Sequence, residues 1–249
     1  MWELDFISKE DFKNHVANTI KTYDNTLKSI DLASFNSNIV DPIKLTFDSK
    51  VYKKPLEVII NEEIVRQRDR TNVNAIGYFH QNMFNYIKNC EVPAKGFDVI
   101  YTKPDGTKVY VEMKNKHNTM NSTSSQKTFT RMIAKLLEED KECQCYLVEI
   151  IAKRSQNIIW RVMLDNDPVE QENIRRVSID KFYEEVTGNK KAFYLICQEL
   201  PKIIDEIITE NKDFEAEEDT VLKELKEKDP DLLKSIYLLA FNTYEGFNE

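Results

Sequence analysis

The chain has 249 residues, of which 41% are hydrophobic and 31% charged, with a formal net charge of −8. That composition suits a globular protein with ample material for a core, and it excludes a disordered or collagen-like chain. No apolar run approaches membrane-spanning length, and Met1-Trp2-Glu3-Leu4-Asp5 lacks the basic start and apolar core of a secretion signal. The four cysteines are too few for a disulfide framework, so the expectation is a cytoplasmic protein with reduced thiols.

The charge is unevenly spread. Residues 201–249 hold 6 Lys and 14 acidic residues, leaving 29 basic and 29 acidic residues in the other 200. Between Lys95 and Arg161 the balance is positive, 12 basic to 8 acidic. Phosphate binding needs only a local positive field, so the total neither establishes nor excludes a nucleic-acid partner.

The first 90 residues read as helices. Ser8–Leu27 shows helical spacing, with Phe12, Val16 and Ile20 on one face. Asp41-Pro42 opens a second helix, with Asp as cap and Pro in the first turn. Pro55 starts a third, running to about Arg70. Asn72 or Asn74 caps a fourth that carries Tyr78, Phe79, Met83, Phe84 and Ile87. His80 and Gln81 fall on this helix and read as a core pair more readily than as base contacts.

Strands follow. Phe97–Tyr101 and Lys108–Lys114 form a hairpin across Lys103-Pro104-Asp105-Gly106-Thr107. Pro-Asp-Gly suits a three-residue loop, a type I turn and then Gly106 in the left-handed region. Lys103 then pairs with Thr107, and counting back sets Asp98 opposite Glu112; a two-residue loop would send Asp98 to the other face. Tyr110, Glu112 and Lys114 share one face, with Val109, Val111 and Met113 on the other.

Ser124–Asp140 reads as a helix, and Cys145–Ala152 as a central strand buried on both faces. Cys143 and Cys145 share a face without the spacing of a zinc site. Ile158–Leu164 and Ile174–Ile179 are further strands, joined through turn chemistry at Asp165-Asn166-Asp167-Pro168. A helix starts at Ser178 or Asp180 and stops near Gly188. Lys190–Thr209 and Ala216–Tyr244 are helical, the latter broken at Asp229-Pro230. Leu233, Ile236, Tyr237 and Ala240 form an apolar stripe suited to docking or dimer contact. The fold class is α/β: a mixed β-sheet flanked by helices, with helical N- and C-terminal portions. The expected division is one domain at 1–210 (helical over residues 1–90, catalytic core 91–190) and an acidic helical extension at 211–249. Asn211–Thr220 is the expected linker.

Two carboxylates brought together repel unless a cation bridges them, and hard oxygen ligands suit magnesium. A bound metal acidifies its water and stabilises charge on phosphorus, while Lys114 can orient that water or neutralise the transition state. Asp98, Glu112 and Lys114 are therefore candidates for metal-dependent phosphodiester cleavage; the same residues in a hairpin also fit an ordinary solvated face. Asn115, Lys116, His117, Asn118, Asn121, Ser122, Ser124, Gln126 and Lys127 are candidates for DNA contact from the following loop and helix start. Ser122–Ser125 equally suit a helix cap. Lys153, Arg154, Arg161, Arg175 and Arg176 flank the later strands and are candidates to read guanine.

The order helix, β-Asp, β-Glu-x-Lys, helix, β resembles the PD-(D/E)xK nuclease superfamily, which includes many Type II restriction endonucleases. More specifically, Asp41–Asp48, Ile76–Gln81, Gly96–Val99, Val111–Asn121 and Arg176–Tyr183 resemble the restriction-endonuclease family that cuts at GGNCC. The likeness covers roughly residues 5–205. It implies a magnesium-dependent endonuclease acting as a homodimer on palindromic double-stranded DNA, beside a cognate methyltransferase. It assigns Asp98, Glu112 and the Met113 carbonyl to the metal and Lys114 to catalysis, with Glu62 or Glu63 as a possible additional acid. Phe97 departs from the motif, where Pro usually precedes the Asp. A non-catalytic DNA-binding protein on the same fold and a structure-selective repair nuclease are the competing readings.

Overall fold

The computed structural model describes residues 2–139, 142–164, 167–210 and 215–244. The chain divides into two compact units, with residues 20–75 grouped with the C-terminal residues from 212 onward. The first comprises residues 1–19 and 76–211, the second residues 20–75 and 212–249.

The first unit contains the sheet. Its strands are β1 (Cys90–Glu91), β2 (Val99–Thr102), β3 (Lys108–Lys116), β4 (Cys143–Ile151), β5 (Asn157–Leu164) and β6 (Asp167–Ser178), in spatial order β1-β2-β3-β4-β6-β5. β3, β4 and β6 run parallel, and the outer pairings are antiparallel. β4 lies in the middle, as its apolar run requires, with Cys145, Tyr146, Leu147 and Val148 all buried. On one face Tyr110, Cys145, Leu147 and Ile174 pack against Phe129 and Met132 of α5 (Ser122–Glu138). On the other, Tyr146 meets Phe182 of α6 (Ile179–Thr187). Gly188, at φ +73°, ends α6 as the left-handed residue past the helix, its N–H on the Glu184 carbonyl. Helix α7 (Ala192–Glu210) follows. All four cysteines are free, Cys143 and Cys145 within the apolar cluster.

Several element boundaries differ from expectation. No Pro or Gly stands between Pro55 and Gly77, so the two helices expected there form one, α4 (Leu56–Met83), and Asn72 and Asn74 lie inside it. A 3-10 turn at Phe84–Tyr86 ends it. β6 starts seven residues earlier than expected because its first half is polar and exposed, leaving no apolar alternation to read. Asp167 and Pro168 belong to that strand, paired with Leu164 and Met163; the rest of the expected turn, Asp165 and Asn166, lies outside the described residues, as does Asp140 at the end of the expected α5.

The second unit is helical. It holds residues 20–27 of α1 (Lys9–Leu27), α2 (Leu32–Phe35), α3 (Pro42–Tyr52), residues 56–75 of α4, α8 (Val221–Lys228) and α9 (Leu232–Phe241). Asp41 caps α3 as expected, accepting from Lys44 N–H. Val221, Leu225 and Ile236 are fully buried among Phe35, Leu45 and Ile60, so the C-terminal stripe docks within its own unit. Residues 215–220 are not helical: Glu217 and Thr220 donate their N–H groups to the carbonyls of Leu27 and Ile30 at 2.8 and 3.1 Å. The start of the expected linker, residues 211–214, lies outside the described residues. No helix among the described residues is long and apolar enough to cross a membrane.

This packing generates two stability predictions. Ile236→Ala opens a cavity in the second unit and is expected to cost about 2–5 kcal/mol in denaturant unfolding. In the first unit, burial and the neighbouring His15 push His80 down to about 4. The unfolded chain therefore takes up that proton more readily, and stability present above pH ~6.5 is lost as the pH falls towards 4. The loss from this group is about 3 kcal/mol. Urea unfolding at pH 7 and pH 4, with His80→Gln flattening the difference, checks this.

Candidate active site

Local turn chemistry sets the hairpin register. Gly106 has φ +90° and donates to the Lys103 carbonyl at 2.9 Å, Lys103 donates to the Thr107 carbonyl at 2.9 Å, and Thr107 N–H caps on Asp105. The pairs then run Thr102↔Lys108 to Val99↔Val111, the register expected from a three-residue loop. The ladder stops there, two residues short of the expected strand start at Phe97. Asp98 N–H donates to the Val111 carbonyl, and the Asp98 carboxylate takes the Met113 N–H at 2.7 Å. A side-chain oxygen thus replaces the next ladder carbonyl and sets Asp98 beside the Glu112–Met113 backbone. Gln81, at the end of α4, steadies Asp98 from behind by donating to its carbonyl at 3.2 Å. Gln81 is thus engaged within the fold, as is His80, whose ring meets Phe79 and Phe193.

Asp98, Glu112 and Lys114 are brought together. Glu112 has a side chain only 12% exposed, and both its oxygens face cations: Lys114 Nζ donates to Oε1 at 2.6 Å, and Arg131 Nη2 donates to Oε2. Arg131 comes from α5 and lies over the Phe97 ring, 4.6 Å from its centroid. Phe97 in turn packs on Tyr110. Burial raises the Asp98 carboxyl above its usual range; the Met113 N–H opposes this, and the Glu112 charge adds to it. A half-buried carboxylate beside a second one is the setting that a cation relieves.

The donor set fits a hard divalent ion. It is all oxygen, on one carboxylate just before β2 and one on β3, and magnesium characteristically takes one or two carboxylates and keeps water for the rest. Among the described residues no group of three or more His, Cys, Asp or Glu side chains is placed to hold a metal.

The polar stretch after β3 makes hydrogen bonds within itself and to neighbouring strands. Asn115 and Lys116 end the strand, and His117 donates its N–H to the Ile151 carbonyl. Asn121, not the serines, caps α5, accepting from Ser124 N–H at 2.8 Å. Lys116, Asn118, Ser122 and Lys127 are exposed, while Gln126 is held by the Met163 carbonyl. Of the basic candidates on the later strands, Arg161 pairs with Glu170 and Arg175 binds Asn157, leaving Lys153 and Arg154 exposed in the β4–β5 loop. Glu62 and Glu63 belong to the helical unit, where Glu62 pairs with Lys54 and Glu63 accepts from Arg66 and Gln67.

Two charged neighbours of these residues are not among those expected from the sequence. Arg131 gives no signal, because nothing local ties position 131 to position 112. Glu149 gives one: a charge inside an otherwise apolar central strand. It stands in register with Lys114, is 2% exposed, and pairs through Oε1 with Arg176, which also donates to the His117 carbonyl at 3.1 Å. Glu149 Oε2 and His117 Nδ1 are buried without a hydrogen-bond partner.

A family model described as Eco47II restriction endonuclease matches residues 4–209. The Type II restriction enzyme Sau96I of Staphylococcus aureus is 30% identical over 213 residues, covering 82% of this chain and 81% of that protein. The Type II restriction enzyme Eco47II of Escherichia coli is 26% identical over 219 residues, covering 83% and 89%.

Arg176→Met removes the counter-charge of a buried carboxylate and frees the His117 turn. The expected cost is about 3–5 kcal/mol in chemical denaturation, and the double variant with Glu149→Gln should recover some of it.

Proposed function

The chain belongs to the Eco47II restriction endonuclease family, and we propose that it is a Type II site-specific deoxyribonuclease that hydrolyses double-stranded DNA with magnesium. The observation that carries this reading is the grouping of Asp98, Glu112 and Lys114 at the end of one hairpin, within the stretch matched by the family. Six mixed strands flanked by helices are compatible with a PD-(D/E)xK core.

Asp98 and Glu112, with the Met113 carbonyl, would hold Mg2+, whose chemistry is to acidify a bound water and to neutralise charge on the phosphate. Lys114 lies next to Glu112, where its ammonium can orient the attacking water and offset the charge of the pentacovalent transition state. Lys116, Asn118, Ser122 and Lys127 are exposed beside the hairpin and serve as DNA contacts, with Asn115, His117, Asn121, Ser124 and Gln126 shaping the same segment. The recognition sequence is proposed as GGNCC or a closely related palindrome, from the motifs shared with cutters of that site. A palindrome calls for two symmetry-related sites and so for a homodimer. Exposed Ile43, Phe47 and Val51, at four-residue spacing on α3, form an apolar ridge that a second copy would cover. A sequence-specific cutter also needs a methyltransferase in the same cell to protect host DNA, without a lasting complex.

Digestion of a defined plasmid tests the reading. Discrete fragments are expected with Mg2+ and none with chelator, and end mapping gives the site. Lys114→Ala should lower the rate by on the order of 10²–10³-fold. A smear would instead identify a structure-selective or nonspecific nuclease, and binding without cleavage a non-catalytic DNA-binding protein.

A further inference from the structure

The two side-chain cations on Glu112 do not have equivalent places in the sequence or the fold. Lys114 sits two residues along the same strand and belongs to the recognised motif. Arg131 arrives from a separate element, α5, and donates to the other carboxylate oxygen. Its side chain is 44% exposed, its guanidinium rests on the flat face of Phe97, and Glu112 is the carboxylate it pairs with among the described residues.

Charge counting gives this arrangement a meaning. Asp98 and Glu112 carry two negative charges; Lys114 and Arg131 carry two positive ones. A divalent ion bound by the two carboxylates would bring the same +2, and on Glu112 it would meet the oxygens that Arg131 and Lys114 now occupy. A guanidinium and a divalent ion cannot both sit on Glu112 Oε2, because like charges at contact repel. Arg131 has somewhere to go. It is half exposed, and the Phe97 ring provides a surface on which the planar group can slide while staying within the site. The nearest anion it would meet in a substrate complex is the phosphate held over the two carboxylates, and a guanidinium fork matches phosphate oxygens in a bidentate manner.

We propose that Arg131 is a catalytic residue that exchanges partners. It stands on Glu112 as a place-holding cation in the metal-free enzyme and moves to a non-bridging oxygen of the scissile phosphate once Mg2+ and DNA are bound. No bond to Arg131 is made or broken; its contribution is charge stabilisation as negative charge builds on the phosphoryl oxygens. Phe97 then has a physical role, because its ring offers the guanidinium a flat face. The proposal rests on the magnesium nuclease reading of Asp98 and Glu112.

The test measures Mg2+ binding to the DNA-free protein by titration calorimetry, and separately the cleavage rate at saturating Mg2+, for wild type, Arg131→Ala and Arg131→Lys. Removing a cation that competes with the metal should make R131A bind Mg2+ severalfold tighter, while its kcat falls on the order of 10²-fold. R131K, which keeps the charge but not the fork, should show the same signs at smaller size. Looser Mg2+ binding in R131A would mean that Arg131 merely props up Glu112, and would overturn the exchange. Unchanged Mg2+ affinity, or an unchanged kcat, would overturn it as well. A wild-type protein that neither binds Mg2+ nor cuts DNA would overturn the nuclease reading and this proposal with it. Failure of the proposal alone shows instead as a working wild type with an indifferent or loosened R131A.

Discussion

Everything at the candidate site follows from one electrostatic constraint: Asp98 and Glu112 are held close together where water is scarce, so their charges must be compensated. The hairpin brings the carboxylates together through turn chemistry that has nothing to do with catalysis. The Pro104-Asp105-Gly106 loop fixes the register, and the register leaves Asp98 at the point where β2 departs from β3. Burial pushes the Asp98 carboxyl up, and the Glu112 charge adds to it. The Met113 N–H, Lys114 and Arg131 act against this. The sheet then needs helix α5 on that face, since Phe129 and Met132 seal the apolar region while Arg131 supplies a charge at its edge.

The same logic is repeated one strand over. Glu149 lies beside Lys114 on β4, and Arg176 from β6 answers it while also gripping the His117 carbonyl. Three parallel strands thus each contribute a charged side chain to one end of the sheet, and the turn that follows the catalytic strand is tied to that network. The His117 backbone, hydrogen-bonded to Ile151 and Arg176, sets the direction in which Lys116 and Asn118 leave the sheet. That is the geometric condition for using them on a nucleic-acid backbone.

The features legible in the sequence are those decided locally. A three-residue loop, a capped α3 beginning at Asp41-Pro42 and a central apolar β4 each depend on neighbours a few positions away. Residues that meet across the fold leave no such trace: Arg131 reaches position 112 only through α5 packing, and Gln81 reaches Asp98 only because α4 ends where it does. The extent of α4 is hidden for a different reason. Asparagines suit caps, but capping is a preference, and a segment free of Pro and Gly continues through both. The extent of β6 is hidden because an exposed strand need not alternate.

The acidic C-terminal region shows why net charge is a poor guide to substrate. Several of its carboxylates are engaged within the helical unit: Asp219 holds Arg68 at 2.7 Å, Glu217 and Asp219 accept the N–H groups of Ser29 and Ile30, and Glu224 accepts that of Leu32. Asp231 caps α9, and Asp229 pairs with Lys234. These groups satisfy backbone donors and neighbouring cations over a few ångströms, and beyond a Debye length of about 8 Å their field is largely screened. The stretch from Lys95 to Arg161, which carries the hairpin and the turn after it, keeps its own positive balance. A formal −8 summed over the chain is therefore compatible with a polyanionic substrate, because part of the acidic surplus is engaged in local contacts of the helical unit.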